Sequence, residues 1–314
     1  MIGTRVAAMV PRWLKHSALV AAPVRRSLQV MTRGLERVIF TATTGRSGTM
    51  TLSTLFSMVP GCAAFHEPHP FMNGSVLKAA SQGDEAFVDR AYARVKSVNI
   101  LRAALGHRYY MESNQLFVKT FIRQAFDEFG DRMAVVHLVR SPVDVAMSLY
   151  RLQQIPGTEV AEIWWLDHRA PTNIIQIADL LESDAEFSHP FYRALWYWYE
   201  VETRFAAWRA RLPSMKVVHF DTDWFNDRPR VLRLLDELGL DYERSKIESL
   251  IMSREHTKSD LKTLPALGFP EADQKDRRFQ QLLAARGLDL SAIRYRSNAP
   301  WAPDSPLVAQ QESG

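Results

Sequence analysis

The run from Val38 to Leu52, Val-Ile-Phe-Thr-Ala-Thr-Thr-Gly-Arg-Ser-Gly-Thr-Met-Thr-Leu, leaves this chain few folds to choose from. Its β-branched and apolar residues open as a buried strand, Gly45 and Gly48 permit a tight turn, and a hydroxyl-rich stretch then begins an apolar-periodic helix. A strand, a glycine turn and a helix N-terminus in that order make an anion cradle. Backbone N–H groups from Arg46 to about Met50 are expected to converge on one point, where the helix dipole and the Arg46 guanidinium also favour negative charge. The expected lining is Thr44, Gly45, Arg46, Ser47, Gly48, Thr49 and Met50, and the expected ligand group a phosphate or sulfate.

The loop departs from the nucleoside-triphosphate pattern G-x-x-x-x-G-K-[ST], whose Lys reaches the β- and γ-phosphates and whose hydroxyl holds magnesium. No Lys follows Gly48; the basic residue lies inside the loop, between the two glycines. A second junction follows downstream. Met133 to Val139 is another strand-like apolar run, succeeded at once by Arg140-Ser141-Pro142 and a helical pattern through Val145, Met147, Leu149 and Leu152. Arg140 presents a fork suited to a phosphate, and Ser148, about two turns into the helix, adds one hydroxyl donor. The plainer reading of the same residues is an i, i+4 surface contact between Arg140 and Asp144, with Ser148 a small helix residue.

Taken together, the two junctions resemble those of sulfotransferases that use 3′-phosphoadenosine-5′-phosphosulfate (PAPS), particularly the versions whose 5′-phosphosulfate loop reads R-S-G-T. The resemblance implies an α/β three-layer sandwich with a central, mostly parallel sheet in the P-loop-like sulfotransferase architecture. It also implies PAPS as donor co-substrate, Arg140 and Ser148 at its 3′-phosphate, and no metal. The basic, glycine-containing clamp that cytosolic members carry near the C-terminus has no counterpart here. Two other classes share these residues: a nucleotide-dependent kinase with a degenerate loop, and a non-catalytic anion-binding protein of the same fold.

Sulfuryl transfer needs an acceptor oxygen in line with the leaving 5′-phosphate oxygen, cations on the charge that develops there, and a base for the acceptor proton. Arg46 is the expected cation. Ala63-Ala64-Phe65-His66-Glu67-Pro68 places two titratable residues just past the second strand. Tyrosylprotein sulfotransferases have a similar Glu-Pro whose Glu is regarded as the base, so Glu67 is the first choice and His66 the second. Strand alternation sends the two to opposite sides, and one of them reaches the acceptor. His168 and Glu112 are outside candidates. Glu112-Ser113-Asn114 reads equally as a cap for the segment from Asn114 to Gln124, and Lys119 reads first as a solvated lysine, with a cofactor contact as its functional alternative.

Strand-like runs recur at 38–43, 63–66, 108–112, 133–139 and 215–220 with helical patterns between most of them, which argues for a parallel sheet with helices on both faces. Ligands of such sheets bind at the carboxyl ends of the strands, so the loops after Thr43, His66, Glu112, Val139 and Phe220 should share one crevice. Long helical patterns cover 84–105 and 190–212. The aromatic stripe of the second (Tyr192, Trp196, Trp198, Tyr199, Phe205) reads as core. Residues 155–189 read as an acceptor-site insertion, helical over 174–182. The organisation expected is a basic leader over 1–35, a single domain over 36–293 and a Pro-rich tail over 294–314.

The 314 residues, 46% of them hydrophobic, suffice for a large core without disulfide or metal. The lone Cys62 excludes an internal disulfide, fits a reducing, cytoplasmic setting and reads as a small buried hydrophobe. A formal charge of +4 suits a cofactor with several negative charges, while no basic helix or zinc spacing points to nucleic acid. Arg5, Arg12, Lys15, Arg25, Arg26 and Arg33, with no acidic residue among the first 35, make the leader a candidate for peripheral contact with an anionic membrane. Its apolar pieces, interrupted by Pro11 and Pro23, are too short to span one. The acceptor is a hydroxyl compound, with a carbohydrate or glycolipid favoured over another small molecule by the basic leader; the oligomeric state has no sequence signature.

Overall fold

A computed structural model describes residues 18–159, 161–252 and 267–293. Five strands, β1 (Arg37–Ala42), β2 (Cys62–His66), β3 (Tyr109–Ser113), β4 (Met133–Val139) and β5 (Lys216–Asp221), form one sheet in the order β2-β3-β1-β4-β5. Every pairing is parallel, so the sheet is all-parallel where a mostly parallel one is expected from the resemblance. The helices in chain order are α1 (Ala18–Met31), α2 (Thr49–Ser57), α3 (Ser75–Gln82), α4 (Glu85–Ala91), α5 (Ser97–Ala103), α6 (Ile122–Phe129), α7 (Pro142–Arg151), α8 (Ala178–Ser183), α9 (Pro190–Arg211), α10 (Arg228–Leu238), α11 (Arg244–Met252) and α12 (Phe269–Ala285). Five-residue π-helical turns lie at Tyr92–Lys96 and Phe117–Phe121.

Alternation along β1 sorts the core into layers. Val38, Phe40 and Ala42 face one side, where Phe40 stacks on Phe117 at 4.7 Å beneath α5 and α6. Ile39 faces the other, against Leu52, Leu55 and Phe56 of α2 and the leucines of α10. This is a three-layer α/β sandwich. A third apolar cluster joins α7, α9 and α12 to Ala161, Trp165, Leu166, Ile175, Ile177 and Leu181 of the 155–189 segment. The aromatic stripe of α9 is core throughout, with Tyr192, Trp196, Trp198, Tyr199 and Phe205 all buried.

Two sequence expectations shift for local reasons. The helix expected over 174–182 begins only at Ala178: Trp196 Nε1 donates to Ile175 O at 2.9 Å, while the N–H groups of Ile174 and Ile175 donate to the buried Glu200 carboxylate at 3.0 and 2.8 Å. A side-chain donor on α9 thus takes the Ile175 carbonyl that a helix would have bonded. Pro23 does not interrupt the leader's second apolar piece; it lies inside α1. The lost backbone bond is offset by burial of Ala21 and Leu28 and by the buried Glu128, whose Oε1 accepts from Arg25 Nε (3.0 Å) and Gln29 Nε2 (2.8 Å). Residues 18–31 of the expected leader therefore pack on the domain, and Arg25 is engaged there; residues 1–17 and the tail over 294–314 lie outside the described residues. No helix among the described residues is long and apolar enough to cross a membrane.

Cys62 opens β2 at the edge of the core, and burial pushes its thiol up to about 12, which makes it an inert hydrophobe. On α12, Asp276 accepts from Tyr199 Oη (2.9 Å) and Gln280 Nε2 (2.8 Å), and burial lifts its carboxyl to about 6 in spite of them. Raised above its ordinary value of 3.8, this group contributes most stability below about pH 4, where it is protonated in both states. Unfolding free energy measured in urea should therefore fall as pH rises from about 4 to 6 by at most about 3 kcal/mol from this residue. In Asp276→Asn that part of the decline should vanish.

Candidate active site

The crossover from β3 to β4 passes β1, so the loop after β1 lies between connections that leave in opposite directions. In that loop each carbonyl from Thr44 to Gly48 is held by the protein. Tyr197 Oη of α9 donates to Thr44 O at 2.8 Å, and the Ser47 and Thr44 hydroxyls donate to Gly45 O at 2.9 and 3.0 Å. Arg140 Nη1 donates to Arg46 O at 2.9 Å. The Thr222 hydroxyl lies 3.0 Å from Ser47 O and 2.9 Å from Val139 O, and Leu52 N–H closes on Gly48 O. No side chain caps α2, and among the described residues the N–H groups of Arg46, Ser47, Gly48, Thr49 and Met50 donate to no protein acceptor. With the carbonyls turned into the protein, the unpaired peptide N–H groups form the positive pole of the loop.

Both glycines sit where a side chain would be strained. Gly45 and Gly48 have φ of +80° and +78°, and a Cβ would stand 2.9 Å from Gln115 Oε1 at the first and 2.8 Å from the Phe225 ring at the second. Arg46 itself takes a left-handed φ of 58°. Its guanidinium Nε donates to Ser148 Oγ of α7 at 3.0 Å. Loop, Arg140 and Ser148 are thereby one connected cluster. Arg140 also lies 3.6 Å from Asp144, so the plain i, i+4 contact and the contact with the loop coexist. Trp198 Nε1 holds Arg140 O at 3.0 Å, and the Ser141 side chain caps α7 ahead of Pro142, which fixes where β4 hands over to the helix. Burial, then the adjacent Arg140 cation, pull the Arg46 guanidinium below its usual range, and the Glu67 carboxylate opposes them.

Glu67 follows β2 directly. Its N–H donates to Ser113 O at 3.0 Å, and a φ of 43° turns the chain out of the strand there. Its charge acts on Arg46, Lys119 and Tyr197. His66 is exposed, with Nδ1 3.1 Å from Ser113 Oγ. The two outside candidates for the base are occupied. Glu112 is fully buried and accepts from Lys96 Nζ (2.5 Å), Tyr110 Oη (2.7 Å) and Asn114 Nδ2 (2.8 Å). His168 is buried inside the 155–189 segment, 3.2 Å from Glu182, where burial draws it below the usual imidazole range. Asn114 does cap its segment, Oδ1 accepting from Leu116 N at 2.9 Å.

Lys119 is not solvated. It is 3% exposed, and Nζ donates to Tyr197 Oη (2.8 Å), Trp164 O (3.0 Å) and Gln115 Oε1 (3.2 Å) directly behind the loop. Burial holds its amine well below the usual lysine range, against the pull of Glu67. Tyr197, Gln115, Trp165, Thr222 and Phe225 all lie against the loop or its glycines, and none of them is among the site residues expected from the sequence. The one available signal was Thr222, two residues beyond the end of an expected strand. Its neighbour Asp221, which ends β5 and accepts from Asp223 N at 2.9 Å, is lifted by burial to about 6.

No protein-family model matches the chain, and comparison with curated proteins finds no match. Among solved structures, the sulfotransferase domain from the curacin biosynthetic pathway is similar at 12% identity, over 80% of this chain and 98% of that one, with a TM-score of 0.46. So distant a likeness carries no argument about the site.

Gly48→Ala should cost about 1–3 kcal/mol in chemical denaturation, because a left-handed residue then carries a Cβ against Phe225. Gly106→Ala has the same φ of +78° with nothing within 4 Å, so it should cost about 1–2 kcal/mol, the backbone part alone.

Proposed function

We propose that the protein is a sulfotransferase that moves a sulfuryl group from PAPS to a hydroxyl of an acceptor, releasing adenosine 3′,5′-bisphosphate. One observation carries the reading: unpaired loop N–H groups lie in one connected cluster with two arginines and Ser148, and no Lys follows Gly48. Two cations and a row of amides suit a ligand with phosphate groups at both ends of a ribose. On this reading the loop from Thr44 to Met50 takes the phosphosulfate end, Arg140 and Ser148 take the 3′-phosphate, and Arg46, which spans from the loop to Ser148, faces both.

Glu67 is the proposed general base. It turns out of β2 and its charge reaches Arg46, whereas His66 is exposed and tied to Ser113. As the acceptor oxygen attacks sulfur, the carboxylate removes its proton, and the S–O bond to the 5′-phosphate breaks with its electron pair stabilised by Arg46 and the loop N–H groups. The chemistry needs no metal in principle. The acceptor proposed is a carbohydrate or glycolipid hydroxyl.

Heat denaturation separates this from a kinase. Adenosine 3′,5′-bisphosphate should raise the melting temperature and ATP with magnesium should not; the reverse pattern would overturn the proposal. With labelled PAPS and a panel of simple hydroxyl acceptors (an alkyl glycoside, a phenol, a long-chain alcohol), Glu67→Gln should lose about 10²- to 10⁴-fold in turnover while the bisphosphate still stabilises it. His66→Gln should stay within a few-fold of the parent, and a large loss there would reassign the base.

A further inference from the structure

Val88, Tyr92, Lys96, Ile100 and Ala104 recur every fourth residue, and all five are buried. On a regular helix that spacing drifts by about 40° per step. The π-helical turn at Tyr92–Lys96 widens the helix where the drift would otherwise carry this face away from the core. The result places a lysine in the middle of an apolar stripe, 1% exposed, with Nζ 2.5 Å from Glu112 Oε1 and 5.2 Å from the centre of the Phe121 ring.

A buried ion pair is weak evidence for stability, since a well-packed apolar pair of the same volume serves as well. An apolar side chain could not, however, donate hydrogen bonds. Lys96 Nζ also donates to Pro70 O at 3.1 Å and Pro68 O at 3.3 Å. Asn99 Nδ2, one turn further along the same helix, donates to His69 O at 3.1 Å, and Asn114 Nδ2 donates to Phe71 O at 3.3 Å while bonded to Glu112. Four consecutive carbonyls after Glu67 are thus held by side chains. Pro68 and Pro70 lack an N–H, so this segment cannot continue the sheet and has no ladder of its own to fix it.

We infer that Lys96 is a positioning residue: with Asn99 and Asn114 it clamps the carbonyls of residues 68–71 and so fixes the turn that presents Glu67 to the loop cluster. The inference rests on the proposed role of Glu67. Glu112 compensates the ammonium, so that the donors can be buried beneath the turn.

The test uses the full chain with Lys96→Met combined with Glu112→Gln, which removes the clamp without leaving a buried charge unpaired, and separately Asn99→Ala, a residue at the surface end of the clamp. Amide hydrogen exchange at Glu67, whose N–H donates to Ser113 O, should accelerate at least about 10-fold in the double variant and less in Asn99→Ala, with β1 and β4 unchanged. In the labelled-PAPS assay kcat should fall about 10- to 100-fold while the dissociation constant of adenosine 3′,5′-bisphosphate stays within two-fold. Unchanged exchange at Glu67, or a local acceleration with kcat intact, would overturn the inference and leave the sulfotransferase reading standing. A parent protein that sulfates no acceptor, with the local acceleration present, would instead remove that reading and leave the clamp as a structural device alone.

Discussion

The orientation of five peptide groups governs this molecule. From Thr44 to Gly48 every carbonyl is turned into the protein and bonded, so the N–H groups between Arg46 and Met50 have no protein acceptor among the described residues. A helix N-terminus always leaves orphan donors, and most are capped by a side chain. Here Gly48 stands at the cap position with no side-chain acceptor, and on the proposed reading the charge of a ligand is the partner.

Holding the loop in that state draws on every layer of the fold. Tyr197 and Trp198 come from α9, one bonding Thr44 O and the other Arg140 O; Thr222 and Phe225 come from the turn after β5; Gln115 and Trp165 close on Gly45. The large aromatic core around α7, α9 and α12 is therefore more than bulk. Its inward rings place the two hydrogen-bond donors that set the loop and the end of β4. The buried lysines extend the same logic, with Lys119 bonded to Tyr197 behind the loop and Lys96 beneath the turn that follows Glu67. Each sits on a π-helical turn.

Much of this was legible in the residue order because strands and the loop are local features. The observed bounds of β4 coincide with the apolar run at 133–139, and the other four strands fall within a residue or so of their runs. Arg46, Arg140 and Ser148 were singled out by motif, and the structure brings them into contact. What escaped were contacts made across sequence distance. Lys119 reads as solvated because nothing near it in sequence announces the Tyr197 hydroxyl 78 positions away. The late start of α8 goes with the Trp196 side chain, 21 residues on, which takes the Ile175 carbonyl. Glu112 reads as an outside candidate for the base, and only its three donors from distant or buried side chains show that it is occupied. Lys96 is the instructive case, since its four-residue spacing within an apolar stripe was visible in the sequence, but only the wider turn explains how a charged group came to be inside.

The central claim is that the loop and the Arg140–Ser148 site bind one nucleotide carrying phosphate at both the 3′ and 5′ positions. Calorimetric titration of adenosine 3′,5′-bisphosphate against adenosine 5′-monophosphate tests it most directly. The parent protein should bind the bisphosphate at least about 10-fold more tightly, and Arg140→Ala should erase that preference while still binding the monophosphate. Equal affinity for the two nucleotides in the parent protein would contradict the account.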